Sequence, residues 1–198
     1  MRRLLIATRN PGKLKEFGAL LAPLGFAVLA MDALGLPEPA ETGASFAENA
    51  RLKARTAAQA ANMPALADDS GIAVVALGNG PGIHSARYAA GDYPAAFARI
   101  IAACQAGREW RARFVCALCL ARPDGSTATY LGQADGEIAR APRGSHGFGY
   151  DPIFIPLGHG QTFAELPPEQ KDRISHRARA FAQLAAVLGA GASDTGQA

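Results

Sequence analysis

The alternation of short apolar runs with capped helical segments constrains the fold of this chain more than any other feature. Leu4–Ala7 predicts a buried strand, and Asn10-Pro11 then supplies an N-cap and a first-turn proline for a helix. Phe26–Met31 predicts a second strand, and Ser45-x-x-Glu48 is a capping box that opens an alanine-rich helix ending near Asn62. The opening part of the chain therefore predicts strand, helix, strand and helix in turn.

The rest of the chain adds further helices and a β-hairpin. Asp92 can cap a helix that runs to about Gly107, and the runs Phe114–Ala121 and Thr127–Leu131 flank the turn Pro123-Asp124-Gly125. The segments predicted beyond the hairpin are a strand around Ile138, a loop Gly144–Asp151, a strand Ile153–Ile155 and a helix Ser175–Leu188. Strands that alternate with helices, together with one antiparallel hairpin, predict an α/β fold with a mixed, twisted sheet.

The small net charge limits the partners that the chain can bind. Lys+Arg 20 against Asp+Glu 17 gives +3 over 198 residues, and the scattered basic residues create no field that would favour duplex DNA. The apolar run after Arg3 is shorter than the roughly 7–15 residues of a signal peptide, and the longest uncharged run, Ser70–Ala86, contains glycine and proline. We therefore expect a cytoplasmic protein without membrane or nucleic-acid partners, and an odd number of cysteines suits that reducing compartment.

A polar turn between the first strand and the first helix predicts a phosphate site. The turn consists of Thr8, Arg9, Asn10, Pro11, Gly12 and Lys13. Backbone N–H groups and a lysine at a helix N-terminus are suited to a phosphate. The alternative, which the local residues leave open, is an ordinary capped turn with a surface lysine.

Carboxylates at Glu41 and at Asp68-Asp69 predict a site for a hard cation, because Mg²⁺ takes one or two carboxylates together with waters and phosphate oxygens. Neighbouring strand residues point to opposite faces, so one aspartate is expected to enter the site while the other supports the backbone. Short strands are predicted at Ala65–Ala67 and at Ile72–Val75, so the acidic residues are expected where the strands break. The alternative to a cation site is that Asp68-Asp69-Ser70-Gly71 forms a polar turn.

Two segments near the end of the chain carry the remaining candidates. Ser175-His176-Arg177 opens a helix with cationic groups that oppose the positive end of its dipole, which a bound anion or polar ligand would offset. Gly147–Pro152 alternates glycine with aromatic residues, which combines close backbone approach with faces on which a base can stack. The alternatives are a serine cap with solvated basic residues and an aromatic packing corner.

Together these segments resemble the inosine/xanthosine triphosphate pyrophosphatase family in order and spacing. The segments that carry the resemblance are Thr8–Lys13, Glu41-Thr42-Gly43, Phe46-x-Glu48-Asn49-Ala50-x-x-Lys53-Ala54, Ala67–Gly71, Pro81–Arg87, Phe148–Asp151 and Ser175-His176-Arg177. The resemblance reaches from Leu4 to Leu188, and we predict one domain over residues 1–188 with a flexible tail over 189–198.

The resemblance implies an elongated, two-lobed α/β domain with a central substrate cleft. It implies a homodimer that uses Mg²⁺ to hydrolyse ITP, dITP and XTP to the monophosphate and pyrophosphate. Asp69 matches the proton acceptor and a metal ligand, and Glu41 matches the other metal ligand. The residues that match substrate-binding positions are Thr8, Arg9, Asn10, Pro11, Gly12, Lys13, Lys53, Ser70, Phe148, Gly149, Tyr150, Asp151, Lys171, His176 and Arg177.

Base selection in such a site follows from hydrogen-bond donors. A donor aimed at position 6 of the purine can donate to the keto oxygen of hypoxanthine or xanthine, whereas the amino group of adenine offers it no acceptor. Two positions depart from the family pattern, because Arg9 replaces a common glycine and Ala40 replaces a second acidic residue of some members. The alternatives are a pyrophosphatase of different base preference, a nucleotide-binding regulator, or a single-stranded nucleic-acid binder that stacks bases on Phe148 and Tyr150.

Overall fold

A mixed sheet with helices connecting its strands forms the framework of the protein. The computed structural model describes residues 2–37 and 39–193. Its strands are β1 (Arg2–Ile6), β2 (Phe26–Ala30), β3 (Ala65–Val74), β4 (Gly80–Pro81), β5 (Arg111–Ala121), β6 (Thr127–Ile138) and β7 (Phe154–Pro156). Its helices are α1 (Pro11–Leu21), α2 (Phe46–Ala61), α3 (Ser85–Ala89), α4 (Tyr93–Gly107), α5 (Pro168–Ile174) and α6 (His176–Ser193).

The strand order is β2-β1-β3-β5-β6-β7, with β4 paired to β3. β1 pairs in parallel with β2 and with β3, in the latter case through Leu5 opposite Ala65 and Ile6 opposite Leu66. The β3–β4 and β6–β7 pairs are antiparallel. These pairings confirm the predicted α/β fold with a mixed sheet.

The chain forms two compact units, each assembled from separate stretches of sequence. Unit 1 comprises the residues up to Asp69, Ala117–Gly132 and the stretch from Arg177 onward. Unit 2 comprises Ser70–Cys116 and Gln133–His176. The chain therefore passes from one unit to the other inside β3, inside β5 and inside β6. The two-lobed arrangement and the cleft implied by the family resemblance stay predictions.

In unit 1, small side chains pack α2 against the parallel strands. The buried residues of this core include Leu5 on β1, Ala65 on β3, and the alanines Ala50, Ala54, Ala57 and Ala58 on α2. Their positions i, i+4, i+7 and i+8 put these alanines on one helix face. The predicted caps are confirmed, since the Ser45 hydroxyl accepts from the Glu48 N–H and the Asn10 side chain accepts from the Lys13 N–H.

The predicted break between short strands at the acidic segment is wrong. β3 runs without interruption from Ala65 to Val74, so Asp68, Asp69 and Ser70 lie within a strand. Both aspartates are buried. Local sequence favoured a turn because aspartate, serine and glycine are common in turns, whereas the strand continues because distant cationic side chains pair with the two carboxylates.

In unit 2, α4 packs its apolar face into a core with several aromatic residues. Asp92 caps α4 as predicted, and Phe97, Ile100 and Cys104 are among its buried residues. Phe114, Phe154 and Phe163 pack together, with ring centroids 4.7 Å apart for Phe114–Phe154 and 5.1 Å for Phe154–Phe163. These edge-to-face and tilted contacts are the geometries that aromatic rings prefer.

Several boundaries differ from prediction. β6 includes Ile138, for which a separate strand was expected, so the hairpin strands are longer than their apolar runs. Helices α3 and α5 were not predicted because both are short and α5 is polar, with no apolar periodicity. Helix α6 continues to Ser193, beyond the predicted end at Leu188, and residues 194–198 of the predicted tail lie outside the described residues.

Within the described residues, no helix combines the length and hydrophobicity that a membrane span requires.

Candidate active site

A buried lysine lies between two carboxylates in unit 1. The Lys53 Nζ is 2.7 Å from Glu41 Oε1 and 3.8 Å from Asp69 Oδ1. Asn49, one turn before Lys53 on α2, donates from Nδ2 to Asp69 Oδ2 over 3.0 Å. We call Glu41, Asn49, Lys53 and Asp69 the carboxylate–lysine cluster. It joins the predicted metal ligands and a predicted substrate-binding lysine in one place.

The charges of this cluster stabilise one another. Burial lowers the pKa of Lys53, but the attraction of Asp68, Asp69 and Glu41 outweighs that effect and leaves the pKa above its ordinary value. Burial raises the pKa of Asp69, and the Lys53 ammonium and the Asn49 hydrogen bond offset this only in part. Lys53 is therefore a protonated cation, and the carboxyl beside it, that of Asp69, has a pKa above that of an exposed aspartate.

The predicted phosphate turn leads from β1 into α1. Thr8 is buried, and its hydroxyl accepts from the Asn10 N–H over 3.2 Å. The first turn of α1 contains no acidic residue that would repel an anion. The Lys13 Nζ lies 3.0 Å from Asp68 Oδ1, and the Lys13 side chain is 15% exposed. The turn thus presents a helix N-terminus with one cation oriented by a buried carboxylate.

Asp68 is paired with cations of two helices. Arg177 at the start of α6 donates from one guanidinium nitrogen to Asp68 Oδ2 over 3.0 Å and from another to Glu16 of α1. One aspartate of the Asp68-Asp69 pair was expected to support the backbone. A bound anion or polar ligand was expected to offset the positive charge of Arg177 at the start of the helix. The compensation in this structure comes from the carboxylates of Asp68 and Glu16, and local sequence gave no sign of this pairing.

Arg9, which departs from the family pattern, contacts a different part of unit 1. Its Nε lies 3.0 Å from Asp32 Oδ1, and another guanidinium nitrogen donates to the Leu36 carbonyl over 3.2 Å. Both partners of the ion pair are more than half exposed, so the pair contributes little to stability. The arginine therefore contacts the segment after β2 and does not join the carboxylate–lysine cluster.

The aromatic loop of unit 2 is closed by a second buried ion pair. The Lys171 Nζ of α5 donates to Asp151 Oδ2 over 2.5 Å, and the same oxygen accepts from the Phe148 N–H over 2.9 Å. The ammonium also lies 4.8 Å from the centroid of the half-buried Phe148 ring. A side chain at Gly147 would collide with Asp151, since an added Cβ would lie 2.1 Å from its Oδ2. Glycine at this position permits the closed loop.

The other candidates of unit 2 are embedded in its aromatic core. Tyr150 is buried, and its hydroxyl donates to the Ser85 carbonyl over 2.7 Å. His176 is buried with its ring stacked on Phe114, at 4.6 Å between centroids and 8° between planes. The half-buried Phe148 ring is therefore a better stacking face for a base than the buried Tyr150 ring. The candidates Gly149 and Ser70 are also half-buried.

Two residues that bond to candidate residues or backbone within their own units were not predicted as parts of a site. Asn49 belongs to the segment that carried the family resemblance, and its spacing of four from Lys53 puts both on one face of α2. Ser85 lies in the Pro81–Arg87 segment, and its hydroxyl accepts from the Ile72 N–H and donates to the Gly82 carbonyl. The helical spacing would have revealed Asn49, whereas the contacts of Ser85 are long-range.

The residues present fit a magnesium ion. Glu41 and Asp69 direct oxygens at one ammonium, which marks a place where a positive charge is favoured. Across the described part of the chain, no group of three or more His, Cys, Asp and Glu side chains is arranged to hold a metal. Mg²⁺ needs no such group, because it binds through one or two carboxylates and completes its shell with waters and phosphate oxygens.

Comparisons with known proteins identify the family of this chain. The model of the Ham1 family matches residues 4–187. The dITP/XTP pyrophosphatase of Rhodopseudomonas palustris is 49% identical, covering 96% of this chain and 97% of the relative, and that of Rhodospirillum centenum is 52% identical, covering 92% and 93%. A solved HAM1 protein from Coxiella burnetii superposes with a TM-score of 0.86 at 39% identity, covering 96% of this chain and 99% of that one. The chain belongs to the Ham1 family.

Proposed function

We propose that this protein hydrolyses the non-standard purine nucleoside triphosphates ITP, dITP and XTP to the monophosphate and pyrophosphate. The observation that carries the proposal is the placement of Lys53 between Glu41 and Asp69, in a chain whose relatives are named dITP/XTP pyrophosphatases. A site of this kind offers both a carboxylate base and positive charge for a phosphate chain.

Unit 1 carries the residues for the triphosphate. The N-terminus of α1 and the turn Thr8–Lys13 bind phosphate oxygens, and Lys13 supplies a cation that Asp68 holds in place. Lys53 adds a second cation, which its buried carboxylate partners keep protonated. Both lysines neutralise charge that grows on the leaving pyrophosphate.

Asp69 acts as the proton acceptor. The Asp69 Oδ2 already accepts from Asn49, so we assign the proton of the attacking water to Oδ1. The water oxygen bonds to the α-phosphorus, the bond from that phosphorus to the bridging oxygen breaks, and pyrophosphate leaves with the electron pair. Glu41 and Asp69 would hold Mg²⁺, which when bound neutralises phosphate charge and makes the phosphorus easier to attack.

Unit 2 carries the residues for the base. The Phe148 ring offers a stacking face that tolerates any base, and hydrogen bonds at the purine edge then discriminate between bases. His176, held by stacking on Phe114, is a donor candidate for the keto oxygen at position 6. The Lys171–Asp151 pair fixes the loop that presents Phe148.

We further propose that the protein is a cytoplasmic homodimer. The family resemblance supports the dimer, and an odd number of cysteines, namely the buried Cys104, Cys116 and Cys119, suits a reducing compartment. Light scattering on the purified protein tests the dimer, because a dimer has twice the 20.5 kDa mass of the chain.

Product analysis tests the proposed function. Purified protein is incubated with Mg²⁺ and with ITP, XTP, ATP or GTP side by side, and pyrophosphate is resolved from orthophosphate. We expect pyrophosphate and monophosphate from ITP and XTP, with little product from ATP or GTP. Orthophosphate as the product would contradict the bond assigned, and equal turnover of all four nucleotides would contradict the base preference.

A further inference from the structure

The Asn49 side chain connects the two segments that carry the acidic residues of the cluster. Its Nδ2 donates to Asp69 Oδ2 over 3.0 Å, and its Oδ1 accepts from the Gly43 N–H over 2.8 Å. Gly43 lies two residues after Glu41. Asn49 itself is fully buried in the first half of α2. One amide therefore joins β3, α2 and the segment that contains Glu41.

The two hydrogen bonds fix the orientation of the amide. The Gly43 N–H can only donate, so the Asn49 oxygen must face it, which leaves the Nδ2 group facing Asp69. A flipped amide would place donor against donor at Gly43 and oxygen against oxygen at Asp69. The arrangement thus requires Asp69 Oδ2 to be an acceptor and leaves Oδ1 on the side of Lys53.

The Gly43 backbone lies close to the same amide. A Cβ added at Gly43 would lie 2.8 Å from Asn49 Oδ1 and 2.7 Å from Glu48 Cβ, both shorter than real Cβ contacts. Any side chain at this position would push the segment away from α2 and lengthen the hydrogen bond to Asn49. The close approach therefore depends on glycine at residue 43.

We propose that Asn49 is a positioning residue that holds the Asp69 carboxylate and the Glu41 segment in one fixed geometry. This inference rests on the proposed function, in which Asp69 accepts a proton and both acidic residues hold Mg²⁺. A buried amide that accepts from one segment and donates to the catalytic carboxylate restricts both at once. Its effect is on the rate of the chemical step and on metal affinity, because its fully buried side chain acts through its hydrogen bond to Asp69.

Substitutions of Asn49 and of its hydrogen-bond partner Gly43 test the proposal. Asn49→Asp keeps the shape and the acceptor for Gly43 but replaces the donor to Asp69 with a repelling oxygen. We expect kcat with XTP to fall about 10- to 100-fold, the usual effect of losing a partner behind a metal ligand, with KM little changed. Gln59→Glu makes the same amide-to-acid change at an exposed residue of α2 and should leave both constants as in the wild type.

Gly43→Ala disturbs the hydrogen bond from the Gly43 N–H to Asn49 without changing any charge. We expect the affinity of the resting protein for Mn²⁺, measured by electron paramagnetic resonance without nucleotide, to fall about tenfold. Gly18→Ala is the matched control, since an added Cβ there meets no atom within 4 Å. Thermal unfolding of each variant identifies any that do not fold, and kcat is calculated per folded molecule.

The outcomes separate this inference from the proposed function. If Asn49→Asp folds and retains the wild-type kcat, or if Gly43→Ala retains the wild-type Mn²⁺ affinity, the positioning role is wrong. Lower thermal stability with unchanged kcat and Mn²⁺ affinity would also overturn it, because a merely structural residue behaves in that way. If the wild type releases no pyrophosphate, the proposed function fails. The Mn²⁺ affinity of Gly43→Ala relative to the wild type then still decides whether Asn49 positions the two carboxylates.

Discussion

At the scale of single residues, Asp69 is the side chain on which the proposed chemistry depends. Asp69→Asn keeps an acceptor for Asn49 and leaves Lys53 paired with Glu41, so we expect the fold to persist. Loss of the base should lower kcat by about 10²- to 10⁴-fold. Pyrophosphate release from XTP measures this, with Asp124→Asn in the exposed 122–126 turn as the control. Near-normal turnover by a folded Asp69→Asn protein would rule out the role given to Asp69.

Tyr150 provides a residue-level prediction of pH dependence. Burial raises the pKa of Tyr150 above its ordinary value of 10.0, and its hydroxyl donates to the Ser85 carbonyl only when protonated. Because the folded pKa exceeds the unfolded one, the stabilisation is fully present below pH 10 and is lost as the pH rises further.

Urea unfolding of the wild type and of Tyr150→Phe at several pH values tests this prediction by giving the unfolding free energy of each. The variant should lose about 1 kcal/mol of unfolding free energy at pH 7, the typical value of one hydrogen bond. Its stability should then decline less steeply than that of the wild type above pH 10. An equal alkaline decline in both proteins would show that Tyr150 is not the group that titrates.

At the scale of secondary-structure elements, Arg177 connects α6 to β3 and α1. Arg177→Met would leave the fully buried Asp68 with only part of its positive partners. Breaking a buried ion pair from one side costs about 3–5 kcal/mol, so we expect a loss of that size in unfolding free energy. Arg179→Met, an exposed change on the same helix, should shift stability by no more than about 0.5 kcal/mol. Equal effects of the two substitutions would contradict the role of the pair.

The elements also show how far the sequence could predict this fold. The caps at Asn10, Ser45 and Asp92 were predicted because each is made by residues within three positions along the chain. The continuation of β3 through Asp68 and Asp69 was not, because the cations that make burial of these carboxylates favourable lie on α1, α2 and α6. Local patterns carry capping information, while the neutralisation of buried charge depends on contacts that only the folded chain creates.

The same distinction applies to the candidate site. The carboxylate chemistry predicted Glu41 and the Asp68-Asp69 pair, the family resemblance assigned Asp69 and added Lys53, and the structure brings Glu41, Lys53 and Asp69 together. It could not be predicted that Tyr150 packs into the core, because alternating glycines and aromatics are equally compatible with an exposed stacking platform. Nor could the pairing of Arg177 with Glu16, which lie at opposite ends of the sequence, be predicted.

At the scale of the whole molecule, the path of the chain predicts that both units unfold together. Strands β3, β5 and β6 each contribute residues to unit 1 and unit 2, so neither unit is a continuous segment that could unfold while the strands of the other stay intact. Trp110, the only tryptophan, lies in unit 2, with the Arg140 guanidinium 3.3 Å from its ring centroid. Its fluorescence therefore reports on unit 2.

Arg177→Met disturbs ion pairs that lie entirely in unit 1, which makes it a test of this coupling. For a two-state protein, the urea midpoint followed by Trp110 fluorescence should fall together with the midpoint followed by far-ultraviolet circular dichroism. The slope of unfolding free energy against urea should stay that of the wild type, because the same surface becomes exposed. A Trp110 transition that keeps its wild-type midpoint while the circular dichroism transition moves would show that unit 2 unfolds independently.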